Sequence, residues 1–89
     1  MWSVYILRCN DETLYTGITT DPKRRLNEHN GLRKGAKYTR TRQPVELVYL
    51  EHVTSRSDAA KREYAIKKMD RKMKEELLKS GGATASSQK

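Results

Sequence analysis

The sequence predicts an α+β domain: a three-stranded antiparallel sheet flanked by helices, in the order β-β-α-β-α-α. Three observations lead there. Residues 2 to 9, 13 to 19 and 45 to 51 are runs rich in Trp, Val, Tyr, Ile and Leu, which suit a half-buried pleated surface. Asp21-Pro22, Ser57-Asp58 and Asp70 stand where helices begin. At 89 residues the chain can build one small core, and a sheet with helices against it is the smallest α+β layout that buries one.

Asn10-Asp11-Glu12 is turn chemistry between the first two strands, so these make a β-hairpin. Asp21 is an N-cap with Pro22 at the first helical position, where its missing N–H costs nothing. That helix should end near Asn30-Gly31 with an αL-tolerant residue. Residues 32 to 43 lack apolar periodicity and read as a loop, and Pro44 leads into the third strand. Ser57-Asp58 caps a second helix running to about Met69, and Asp70 a third from Arg71 to Lys79, stopped by Ser80-Gly81-Gly82. Residues 1–79 thus form one domain, and the small polar residues of 80–89 a disordered tail.

Nineteen Lys and Arg against eleven Asp and Glu leave a formal net charge of +8, with a pI near 9.8. Such a surface attracts polyanions, and nucleic acid is the usual partner of a compact basic domain. The charge is uneven, because Arg33, Lys34, Lys37, Arg40 and Arg42 fall within ten residues that hold no acid. One cysteine, Cys9, excludes an intrachain disulfide and, with only two histidines, a zinc-ligand cluster. A reducing, cytoplasmic setting is expected. The opening residues contain Arg8 and run into a polar stretch, so no signal peptide is expected, and no apolar run approaches the roughly 20 residues of a membrane span.

Side chains alternate faces along a strand, and partners across a hairpin keep a constant index sum. A turn centred on Asp11 pairs Cys9 with Thr13, Leu7 with Tyr15 and Tyr5 with Gly17. Tyr5 and Tyr15 then share a face as diagonal neighbours, with open space at Gly17 beside the Tyr5 ring. For any single strand tyrosine, packing alone is the commoner explanation. Arg25 and His29 are four apart and share a helix face, where an Arg could grip a phosphate with its planar fork. Lys23 and Arg24 read as solvated. Ala59, Ile66 and Met73 recur every seven residues as an inward stripe, and Glu63 falls within it. An inward carboxylate needs a cation, either a salt-bridge partner such as Arg25 or a lysine, or a metal.

Taken together, Val4-Tyr5-Ile6-Leu7, Leu14-Tyr15-Thr16-Gly17-Ile18 and the basic helix after them resemble the GIY-YIG nuclease family, over about residues 2 to 75. The small stand-alone bacterial members, which share the run Gly35-Ala36-Lys37-Tyr38-Thr39-Arg40, are the most similar. Tyr5 matches the tyrosine of the first triplet, and Tyr15 and Gly17 those of the second. Arg25 falls where the family's helix arginine falls, His29 follows in step, and Glu63 stands where the family's metal-binding glutamate stands. Two departures are plain: Ser3 replaces the first triplet's glycine, and no asparagine follows Asn30.

The resemblance implies the same α+β fold and a metal-dependent endonuclease that hydrolyses phosphodiesters, in the repair or processing of structured or damaged DNA, with DNA ahead of RNA as partner. Glu63 would hold one divalent ion, Mg²⁺ or Mn²⁺. Tyr5 would help deprotonate the attacking water, with Tyr15 positioning it or sharing the role. Because free tyrosine titrates near pH 10, Arg25 and the metal would have to favour the phenolate. Lys37, Tyr38, Arg40 and Arg42 would grip the backbone, with Tyr38 either stacking on an unpaired base or anchoring the loop to the sheet. The competing reading is a DNA- or RNA-binding module that keeps the fold without catalysis. An inward Glu63 argues against it, since binding alone needs none.

If the loop cations meet phosphates, each contributes close to one unit to the slope of log K against log salt on duplex DNA. Replacing Lys37, Arg40 and Arg42 together by Ala should flatten that slope by about two to three units in binding curves across a salt series. An unchanged slope would make these charges a solvated surface.

Overall fold

The computed structural model describes residues 1–31 and 42–80, Ser80 by its backbone alone. Lys37, Tyr38, Arg40 and most of the basic run, together with the tail from 81 onward, lie outside the described residues. Strands β1 (Trp2–Arg8), β2 (Leu14–Thr19) and β3 (Glu46–Val53) form an antiparallel sheet in the order β2-β1-β3. Helix α1 (Pro22–His29) follows β2, and α2 (Arg56–Lys67) and α3 (Arg71–Ser80) follow β3. The α+β class and the element order are those the sequence predicts. No helix among the described residues is long and apolar enough to cross a membrane.

The hairpin register is the expected one: Tyr5 faces Gly17 and Leu7 faces Tyr15. In the turn, Asp11 Oδ1 accepts the Thr13 N–H and hydroxyl at 3.2 and 2.6 Å, and Glu12 takes the left-handed φ of 70°. Against β3, β1 keeps register to Ile6–Tyr49 and then shifts by one, so that Leu7 meets Leu47. Val48 is the extra residue of this bulge, which keeps Leu47 and Leu50 packed on the same side.

The central strand feeds two cores. Val4 and Ile6 point to the face covered by α2 and α3, where they pack with Tyr49, Ala59 and Ile66. Tyr5, Leu7 and Cys9 point the other way and pack with Val45, Leu26 of α1 and Tyr15. Ser3, which stands where the family glycine would, is a regular strand residue here. It is buried, and its Oγ lies 2.9 Å from His52 Nδ1 on β3.

Helix ends account for most differences from the sequence reading. The N-cap of α2 is Ser55, extended at φ −145° and ψ 162°, whose side chain accepts from the Asp58 N–H at 3.1 Å. The expected cap, Ser57-Asp58, lies inside the first turn: the Asp58 N–H is the group Ser55 Oγ accepts, and the Asp58 carboxylate accepts from the Thr54 hydroxyl at 3.0 Å. Asp70 does cap α3, accepting the Met73 N–H at 2.8 Å. That break ends the stripe of α2, so Met73 is half exposed rather than inward. At the end of α1, Asn30 stays right-handed at φ −89°, ψ −2°, and no αL residue is needed. Gln43 Nε2 donates instead to the carbonyls of His29 and Gly31, each at 2.6 Å. The Asn30 amide pairs with both the N–H and the carbonyl of Val45 at 2.8 and 3.1 Å, fixing α1 to the start of β3.

Gly17 has a steric reason to be glycine. A Cβ there would stand 2.5 Å from Tyr5 Oη and 2.6 Å from Cζ, closer than any real contact. Gly17→Ala should therefore displace the Tyr5 ring and cost ~1–3 kcal/mol, the usual range for overpacking a filled site. Urea unfolding of the two proteins measures it, and equal stabilities would show that the ring has another place to go.

Candidate active site

The ring of Tyr5 crosses Gly17, and its Oη lies 2.8 Å from His29 Nε2. His29 sits in the last turn of α1 and is wholly buried, while Tyr5 is 3% exposed. Tyr15, half-buried, completes a triangle: its ring centroid is 6.5 Å from that of Tyr5 and 5.2 Å from that of His29. This packing follows from the hairpin register and from the clamp that Gln43 and Asn30 place on the end of α1.

Arg25, one turn before His29, hydrogen-bonds Tyr5, and its Nη1 donates to Glu28 Oε1 at 2.9 Å. The other oxygen of Glu28 accepts from Arg24 Nε at 3.2 Å. Glu28 thus holds two arginines, a role that the sequence reading missed. The signal was its spacing, three residues from Arg25 and four from Arg24. On its other side Arg25 lines an open groove of about 240 Å³ with Trp2, Ile18, Thr19 and Arg24.

Glu63 approaches from α2, the helix on the opposite face of the sheet. Its carboxylate lies 3.2 Å from Lys67 Nζ and is a quarter exposed, and its charge reaches Tyr5. The lysine partner is one of the two possibilities read from the stripe. Among the described residues no three His, Cys, Asp or Glu side chains gather as a metal cage. One carboxylate suffices for an Mg²⁺ or Mn²⁺ site completed by waters and substrate phosphate, and Glu63, partly open to solvent and paired with the exposed Lys67, fits that kind of site. Arg42 lies at the hairpin turn, its Nε 2.9 Å from Asp11 Oδ2 and its carbonyl accepting the Asn10 N–H at 2.8 Å. It therefore ties the chain to the turn.

Burial dominates the electrostatics. It pushes the Tyr5 phenol up to about 12, an effect that the Arg25 hydrogen bond and charge oppose and that the Tyr15 and Glu63 charges reinforce. Arg25 does favour the phenolate, as expected, but desolvation outweighs it. Burial likewise pushes His29 down to about 4, with the Arg25 charge adding to the effect and Glu28 opposing it. At neutral pH the pair is a neutral phenol hydrogen-bonded to a neutral imidazole.

This makes stability pH-dependent in a defined direction. Between pH 6.5 and about 4 the unfolded chain binds a proton at His29 that the folded chain refuses, so stability falls as pH drops through that window. Wild type should lose more stability between pH 7 and 5 than His29→Gln, as read by urea midpoints. Parallel losses would mean that His29 ionises as easily folded as unfolded.

The comparisons with known proteins agree with this geometry. The model of the GIY-YIG catalytic domain matches residues 1–76. A UPF0213 protein of Desulfotalea psychrophila is 57% identical over 79 residues, 89% of this chain and 72% of that one. One from Staphylococcus epidermidis is 51% identical over 78 residues, 88% of this chain and 94% of that one. The solution NMR structure of the UPF0213 protein BH0048 from Bacillus halodurans is similar at a TM-score of 0.60 and 44% identity, over 93% of this chain and 88% of that one. With the family's domain matched along most of this chain and relatives this similar, the chain belongs to the GIY-YIG family.

Proposed function

We propose that this protein is a metal-dependent endonuclease that hydrolyses phosphodiester bonds in DNA, acting on structured or damaged forms in repair or processing. The observation that carries the reading is the 2.8 Å contact between Tyr5 Oη and His29 Nε2, with Arg25 on the same phenol. A purely structural tyrosine does not require a buried imidazole and a guanidinium together, whereas a proton path beside an anion site does. The GIY-YIG domain match supports the same class of chemistry.

In this reading Tyr5 acts as a neutral relay. Its Oη accepts a proton from the attacking water as its own proton passes to His29 Nε2, so no free phenolate has to form at neutral pH. Tyr15, the more exposed ring, positions the water. Substrate phosphate would take the place of Glu28 on Arg25. Glu28 already offsets the Arg25 charge, and its own charge raises His29, so a phosphate in its place would keep the guanidinium balanced. Glu63 would hold the divalent ion, which supplies charge to stabilise the leaving oxygen.

Glu63→Ala should lower Mg²⁺- or Mn²⁺-supported cleavage of labelled flap, branched and single-stranded DNA by at least about a hundredfold while leaving binding near wild type, because affinity comes mainly from cations meeting phosphates. Lys67→Ala breaks the same ion pair and should leave cleavage intact. Wild-type cleavage by Glu63→Ala would take the metal away from this residue. Binding without cleavage by the wild-type chain would favour a DNA- or RNA-binding module with the nuclease fold.

A further inference from the structure

Helical geometry sends Glu63 and Tyr64, adjacent in sequence, to different faces of α2. Glu63 keeps company with the buried Ala59 and Ile66. Tyr64 points outward in a stripe with Ser57, Lys61 and Lys68, three and four residues apart and all exposed. Tyr64 is 64% exposed, and the Lys68 ammonium stands 4.8 Å from its ring centroid. The stripe carries two cations and no acid.

We propose that this outer face of α2 receives an unpaired stretch of the nucleic acid strand that is cut at the neighbouring site, one base stacking on Tyr64 and Lys61 and Lys68 meeting the flanking phosphates. The proposal rests on the nuclease reading and extends it to the form of the substrate. An aromatic ring interleaved with cations is the pattern that binds single strands, since every base has a face to stack and every linkage a phosphate. A paired base has both faces covered within the duplex and offers Tyr64 nothing. The sign of the stripe selects a polyanion over an apolar or basic partner. Glu63 and Tyr64 are consecutive on α2, their side chains turned about 100° apart around the helix axis, so this outer face borders the stripe that carries the carboxylate.

The test is fluorescence anisotropy with labelled oligothymidine and a hairpin duplex, using the intact chain in EDTA. Tyr64→Ala should weaken oligothymidine binding about tenfold and leave the duplex nearly unchanged, while Tyr64→Phe, which keeps the ring, retains wild-type affinity. Lys61→Gln with Lys68→Gln should lower the salt slope on oligothymidine by about one unit. Circular dichroism checks that these exposed substitutions leave the fold intact. Equal oligothymidine affinity for wild type and Tyr64→Ala overturns the proposal, as does an equal loss on both ligands or a wild-type chain that does not bind oligothymidine. Cleavage is read separately with Mg²⁺ or Mn²⁺. If wild type does not cut but Tyr64→Ala still loses oligothymidine, the nuclease reading fails and this surface stands. If wild type cuts and Tyr64→Ala binds normally, the reverse holds.

Discussion

Where Tyr5 lies across Gly17, the phenol occupies the space in which a side chain at 17 would sit. This exclusion works only in one hairpin register, because a slip of one residue turns every side chain of β2 to the other face. The arrangement around it depends on that choice. Tyr15 reaches the same face, the phenol meets His29, and α1 has a buried polar group to dock on as well as the apolar contact of Leu26. A glycine that weakens a strand in isolation is thus the condition for the tyrosine–histidine contact.

The site is unlike the surface around it. The chain carries +8 overall, yet its centre is a phenol and an imidazole that burial keeps uncharged. Desolvation, which makes Tyr5 a poor phenolate, also makes its hydrogen bond to His29 matter, since in a low-dielectric setting an unpaired phenol would be costly. Acidity is set by the protein interior, and in the proposed reading affinity would be set by the exterior. Arg25 belongs to both, reaching the Tyr5 phenol and lining the groove.

Much of this was legible in the sequence because it depends on periodicity. The two-residue alternation of the strands and the fixed index sum of a hairpin placed Tyr5 opposite Gly17. The helical repeat placed Arg25 and His29 together and Glu63 beside Ala59 and Ile66. What escaped depends on contacts that no local pattern encodes. Gln43 finishing α1 is a side chain meeting carbonyls fourteen and twelve residues away, and so the αL end read at Asn30-Gly31 was unnecessary. Met73 failed as an inward residue because a seven-residue spacing has meaning only along one helix axis, and Asp70 starts a new one. Ser55 caps α2 in place of the expected Ser57 because either serine could cap a helix, and the choice is made by which backbone is extended. The protonation of Tyr5 escaped because charges are visible in a sequence and desolvation is not.

Glu28, bound to Arg24 and Arg25, has a thermodynamic consequence. It behaves as a counterion that the protein carries covalently. A phosphate arriving at an exposed lysine releases a condensed salt ion, and that release is what makes protein–nucleic acid affinity fall with salt. A phosphate arriving at Arg25 exchanges with a carboxylate that cannot diffuse away. The mass-action reward is smaller there, and the exchange depends on how well the incoming oxygens match the fork of the guanidinium. In the proposed reading, salt would govern how long a strand stays on the surface of this molecule, and geometry whether it enters the site.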